Sequence, residues 1–204
     1  MKPLLLQGKP FVLMVGCRQC KKISDSEAKV ARVSFLEKEQ AHPFIKEVYQ
    51  RQEEQNAQVL NMLKVMAHCP WIGRNFIRLG NSILRGEELP ARLRELAILC
   101  VGKLLQAEYE FTHHIPLALQ AGVNKEQIDQ LSNWVSARAF NREEQAVLRY
   151  AEELTKKVRV SDDTFEELRN LFNERRIVEL TATIGYYNMA CRILVGLQIE
   201  LENE

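Results

Sequence analysis

Residues 89–122 read LPARLRELAILCVGKLLQAEYEFTHHIPLALQAG. Pro90 precedes an apolar-periodic run, as proline does at the first helical position. The spacing predicts one helix over 90–105 and a second over 107–121. Gly122 suits the left-handed backbone that ends a helix. Only Gln106 and its neighbours join the two, so an antiparallel pair is expected. Glu95 sits beside Leu96, Ile98 and Leu99, in or near an apolar face. Glu110 and His114 are four apart and share a face of the second helix. His113 points about 100° away and cannot do the same job. Pro116 leaves the Thr112 carbonyl without its helical donor, so a kink that opens room for a ligand is expected there.

The rest of the chain extends this pattern. Pro43 and Pro70 also precede apolar-periodic runs. Asn124 with Gln127, Asn141 with Glu144 and Asp163 with Glu166 have capping-box spacing. Further helices are expected at 43–67, 70–85, 124–134, 141–157, 162–172 and 173–199. No run alternates in the manner of a strand. The fold class is therefore all-α, a bundle of about eight helices with short connections. The last helix is apolar almost all round and is expected to be buried against several neighbours. Residues 1–30 look unlike the remainder and read as an N-terminal extension to a helical domain at 31–204.

Composition excludes several function classes. The 204 residues carry 28 basic and 27 acidic side chains, a net charge of +1 that makes no electrostatic case for nucleic acid. No apolar run approaches the roughly 20 residues of a membrane span. The segment FVLMVG before Cys17 faintly resembles a lipoprotein signal, but it is short and follows an interrupted stretch. Five cysteines (17, 20, 69, 100 and 191) show no disulfide framework, and reduced thiols in a cytoplasmic protein are expected. Cys100 and Cys191 sit in apolar runs and read as core residues. Cys17 and Cys20 form a C-x-x-C, with neither a βαβ pattern nor further zinc ligands nearby. Glu108, Glu110, His113 and His114 do not all share a face, so no metal site is expected from them. Nor does any cofactor follow from the sequence.

Two readings of Glu95, Glu110 and His114 stand at this point. One is a proton relay, in which a carboxylate orients and charges an imidazole whose pKa lies near working pH. The other is a structural pair, common at four-residue spacing and stabilising by only a few tenths of a kcal/mol.

The segment 89–131, with its R-E-L…Y-E-F-T-H-H…A-G-V pattern, resembles the carboxymuconolactone decarboxylase family, which includes the alkylhydroperoxidase D (AhpD-like) type. MLKVMAHCPWIGRNFIRLGNSIL before it and VELTATIGYYNMACRILVGL after it match a longer branch of that family, so the resemblance covers about residues 30–200. The peroxidase branch places a glutamate, a C-x-x-C and then a histidine four residues beyond the second cysteine. Glu95 and His114 hold the glutamate and histidine positions, whereas Ala107 and Glu110 stand where the cysteines would be. A dithiol reaction needs sulfur, so the resemblance implies general acid–base chemistry by Glu95, Glu110 and His114. It implies a lyase-like enzyme acting by decarboxylation or proton transfer on a small carboxylate or lactone. Arg94 and Arg192 are candidates to hold that carboxylate. Tyr109, His113, Tyr187 and Asn188 are further candidate binding residues. An alkylhydroperoxidase D-like peroxidase is the rival enzyme, and a non-catalytic helical scaffold the rival of another class. A homo-oligomer is also expected, because family members associate through helical faces.

Overall fold

Ten consecutive residues, Leu93 to Gly102, are buried in a single helix, and this helix is the centre of the fold. The computed structural model describes residues 31–202; the N-terminal extension, with Cys17 and Cys20, lies outside the described residues. The described α-helices are α1 (Pro43–Glu54), α2 (Asn61–Met66), α3 (Pro70–Leu84), α4 (Ala91–Leu104), α5 (Glu108–Gln120), α6 (Lys125–Gln130), α7 (Arg142–Lys157), α8 (Asp162–Leu171) and α9 (Glu174–Leu197). A 3-10 turn over Leu131–Asn133 follows α6, and the described residues contain no strand.

The central helix α4 packs on α5, α7 and α9. Being covered on several sides, it is apolar almost all round, with Leu96, Ala97, Leu99 and Val101 fully enclosed. Gly102 lies against α5. A Cβ there would meet the Phe111 backbone nitrogen at 3.4 Å, an ordinary van der Waals contact, which shows how closely α4 and α5 lie at this end. The connection between them is short: Gln106 takes φ +53°, and the Ala107 amide donates to the Gly102 carbonyl at 2.9 Å. Gly102 faces Phe111 while Glu95 faces His114, so the two helices run antiparallel.

Two of the expected capping boxes form in full. Asn124 caps α6 with Gln127, and Asn141 caps α7 with Glu144. The third does not: Ser161 accepts from the Thr164 amide and starts α8 two residues before Asp163. The helix expected over 43–67 is also broken. It stops at Glu54, Asn56 adopts φ +53°, and the chain restarts at Asn61. Gln55 and Asn56 bond back to Gln52 and Glu53, closing the turn in a conformation asparagine tolerates. Helix α5 continues through Pro116 to Gln120, and Gly122 leaves it at φ +93°.

A polar junction ties α4, α6 and α7 together. Glu144, 1% exposed, accepts from Arg92 Nε at 2.6 Å, Gln127 Nε2 at 2.9 Å and the Asn141 amide at 2.9 Å. Removing such an acceptor strands buried donors and a half-buried guanidinium. Glu144→Ala is expected to lower unfolding free energy by about 3 kcal/mol, read from urea denaturation midpoints. A loss below about 0.5 kcal/mol, the level of an ordinary surface change, would contradict this role for the junction.

Candidate active site

The antiparallel register of α4 and α5 sets His114 between two carboxylates. His114 Nδ1 lies 2.8 Å from Glu95 Oε2, and Nε2 lies 3.3 Å from Glu110 Oε1. All three side chains are buried. From α9, Tyr187 sets its ring edge-on to the imidazole, with centroids 4.9 Å apart. Tyr186 packs edge-on against Tyr187 in turn and donates its hydroxyl to the Phe76 carbonyl at 3.2 Å.

A carboxylate faces each ring nitrogen, Glu95 in a hydrogen bond to Nδ1 and Glu110 at ion-pair distance from Nε2. Burial alone would depress the imidazole pKa and is the largest influence. The hydrogen bonds and negative charges of Glu110 and Glu95 together outweigh it, and the pKa rises from 6.5 to about 9. At neutral pH His114 is therefore an imidazolium. Burial and the same two carboxylates push the Tyr187 hydroxyl far above its ordinary pKa, so it remains a neutral phenol.

Glu110 and His114 open on a cleft of about 830 Å³. Tyr109, His113, Tyr186 and Tyr187 also line it, opposite Phe44, Val48 and Ile77 of the α1–α3 side. Glu95 stands behind His114 and does not reach the cleft wall. The site is thus layered, with a buried carboxylate, a charged imidazole and an outer carboxylate at the cavity.

The remaining candidate residues divide. Tyr109, His113 and Tyr187 line the cleft; Arg94, Asn188 and Arg192 do not. Arg94 turns to a separate cavity of about 170 Å³ shared with Glu179 and Thr183. Its Nε makes no hydrogen bond and lies 3.6 Å from Glu95 Oε1, so it adds positive charge behind Glu95. Asn188 donates to Thr155 Oγ1 and to the Ile184 carbonyl, while exposed Arg192 bonds Asn188. The arginines on the cleft are Arg51, Arg74, Arg78 and Arg85, from α1, α3 and the residue after α3. Sequence reading did not single these out, because they lie far along the chain from the Glu–His motif.

A second cluster adjoins the first. Glu202, beyond α9, accepts from the Tyr109 hydroxyl at 2.5 Å and lies 2.8 Å from His113 Nε2. Nothing in the sequence marks this acid among the three glutamates after residue 197. The thiols lie elsewhere. Cys100 and Cys191 are buried and free, and burial raises both, Cys100 to about 12. Cys69 is exposed, and none of these three lines the cleft. Among the described residues, no three His, Cys, Asp or Glu side chains group as metal ligands. No described helix is long and apolar enough to cross a membrane.

The Glu95, Glu110 and His114 positions sit inside one family match. Residues 70–153 match the carboxymuconolactone decarboxylase family. The family segment begins at α3 and ends within α7, so Tyr187 and Glu202 come from outside it. Solved structures share the helical fold. A protein of unknown function from Agrobacterium tumefaciens, described as a putative antioxidant defence protein AhpD, is 25% identical with a TM-score of 0.65, over 69% of this chain and 97% of that one. An uncharacterized peroxidase-related protein with an alkylhydroperoxidase AhpD core, from Ralstonia eutropha, is 18% identical with a TM-score of 0.75, over 86% and 94%. A variant of the debrominase Bmp8, in complex with 2,3,4-tribromopyrrole, is 20% identical with a TM-score of 0.72, over 87% and 94%. No curated protein matches the chain.

The charged state of His114 has a measurable consequence. Its folded pKa lies above the unfolded value, so the contribution to stability is complete below about pH 6.5 and is lost as pH rises through about 9. The unfolding free energy of the native chain, relative to His114→Gln, should fall across that window by on the order of a few kcal/mol. A difference that stays flat or grows from pH 6.5 to 10 would mean that His114 is not held as a cation.

Proposed function

We propose that this protein is a carboxymuconolactone decarboxylase-like enzyme that performs general acid–base chemistry on a small carboxylate or lactone. One observation carries this reading: the Glu95–His114–Glu110 series leads from a buried carboxylate to the wall of a cleft large enough for a small molecule. A solely structural pair needs no cavity at its outer end.

In this reading Glu110 is the group that meets the substrate. In a decarboxylation the carbon–carboxylate bond breaks, CO2 leaves, and the electron pair remains on the carbon, spread into the adjacent carbonyl. The His114 imidazolium gives up its Nε2 proton, Glu110 relays it to that carbon, and solvent then recharges the neutral imidazole, which Glu95 holds in place. The same groups serve a proton transfer without carbon–carbon cleavage. The cleft-lining arginines Arg51, Arg74, Arg78 and Arg85 supply the positive charge that a carboxylate substrate needs, a role for which Arg94 and Arg192 were the sequence candidates. Tyr187 fixes the imidazole plane.

The rival peroxidase chemistry is less well supported. Ala107 and Glu110 replace the two cysteines of that branch, and no cysteine among the described residues lines the cleft. Self-association through α9 belongs to the same reading as the enzyme, because Val178 and Met189 are exposed apolar side chains on one face of it.

A panel of small carboxylates, lactones and hydroperoxides, assayed for turnover, tests the reading. With a carboxylate or lactone substrate, Glu110→Gln and His114→Gln should each reduce kcat by about 10²–10⁴-fold. Cys17, Cys20 and Cys69 replaced together by serine should leave it unchanged. Turnover of hydroperoxides alone, abolished by that triple replacement, would overturn the reading in favour of the peroxidase.

A further inference from the structure

The segment after α9 does more than end a helix. Gln198 leaves α9 at φ +53°, and the chain runs back past the start of α2 to α5. Two anchors hold it before Glu202 is reached. Ile199 packs in a cluster with Val65, Tyr109 and Leu194, with Leu201 against it. Asn61 Nδ2 donates to the Glu200 carbonyl at 3.1 Å. Glu202 then adds a carboxylate that receives three donors. Oε1 accepts from the Asn61 amide at 2.6 Å and the Tyr109 hydroxyl at 2.5 Å, and Oε2 accepts from His113 Nε2 at 2.8 Å.

Two of these donors belong to the cleft. Tyr109 and His113 line it together with Glu110 and His114. Their rings lie 4.4 Å apart on one face of α5. Both oxygens of one carboxylate are therefore recognised at the edge of a cavity whose acid–base groups stand on the neighbouring face. Glu202 lies in irregular chain, outside any helix, and its side chain is only 8% exposed. Any incoming carboxylate can make the same three hydrogen bonds, so exchange leaves no donor unpaired.

We propose that Tyr109, His113 and the Asn61 amide form a carboxylate-binding subsite of the cleft, which Glu202 fills as an internal stand-in until an acidic ligand displaces it. The subsite rests on the reading of the cleft as one for small carboxylates. A substrate carboxylate held there sits one residue along α5 from His114, which brings an attached carbon chain toward Glu110. A tethered competitor acts at high effective concentration and weakens apparent ligand affinity without touching the relay. Glu202 is in this sense a gate on substrate entry, and its removal is a gain rather than a loss.

The test is succinate binding by the full chain, followed by calorimetry and by the imidazole NMR signals of His113 and His114. Glu202→Ala should bind succinate about 10-fold tighter or more. The largest ligand-induced shift should fall on His113. Tyr109→Phe combined with Glu202→Ala should lose most of the gain. Glu202→Gln, which retains the shape and an acceptor oxygen, should show a smaller gain and serves if the alanine variant unfolds. Equal or weaker binding by a folded Glu202→Ala or Glu202→Gln protein overturns the proposal and leaves Glu202 a structural anchor. The outcome is separable from the acid–base reading, because succinate binding needs no turnover. Tight binding with an inert Glu110–His114 pair would retain the subsite and sink the enzyme.

Discussion

An imidazolium buried between two carboxylates is the interaction on which the site depends. A lone buried charge is costly, and a buried imidazole with no partner would lose its proton. His114 keeps its proton because Glu95 and Glu110 approach its two ring nitrogens from different helices. That requirement fixes the antiparallel register of α4 and α5. It also calls for the aromatic cover that Tyr187 provides. Arg94 behind Glu95 brings the group of four formal charges to zero, which lessens the penalty of enclosing it.

The cleft gives that cluster an outlet. Its walls are uneven, with carboxylate, imidazole and phenol groups on the α5 and α9 side and apolar rings, arginines and the carboxylates of Glu47 and Glu54 on the α1 and α3 side. Such a cavity can hold a molecule with an acidic end and a flat apolar body. The family segment supplies the acids and the imidazole, while α9 and the segment beyond it supply the side chains that shape the space around them.

The helix pair was legible in the sequence because its signals are local. Pro90, Gly122, the capping boxes and the four-residue step from Glu110 to His114 each act within a turn or two of helix. The meeting of Glu95 with His114 was legible because a short connection forces an antiparallel return. What failed to show depends on distant chain. The break after Glu54 rests on Asn56 entering a left-handed conformation within an otherwise helical polar run. The direction of Arg94 was hidden because α4 is buried on nearly every face, so its periodicity does not separate the α5 side from the α9 side. Glu202 meets Tyr109 from 93 residues away, a pairing that no spacing rule encodes.

The proposed site depends on the charge of one ring, and ¹⁵N-detected NMR titration of the His114 imidazole reads that charge directly. The result expected is a doubly protonated ring at pH 7 that titrates near 9 and loses its proton at markedly lower pH once Glu95 is replaced by glutamine. A ring already neutral at pH 7, or a titration that Glu95→Gln does not move, would contradict the relay and leave Glu95, Glu110 and His114 a structural cluster.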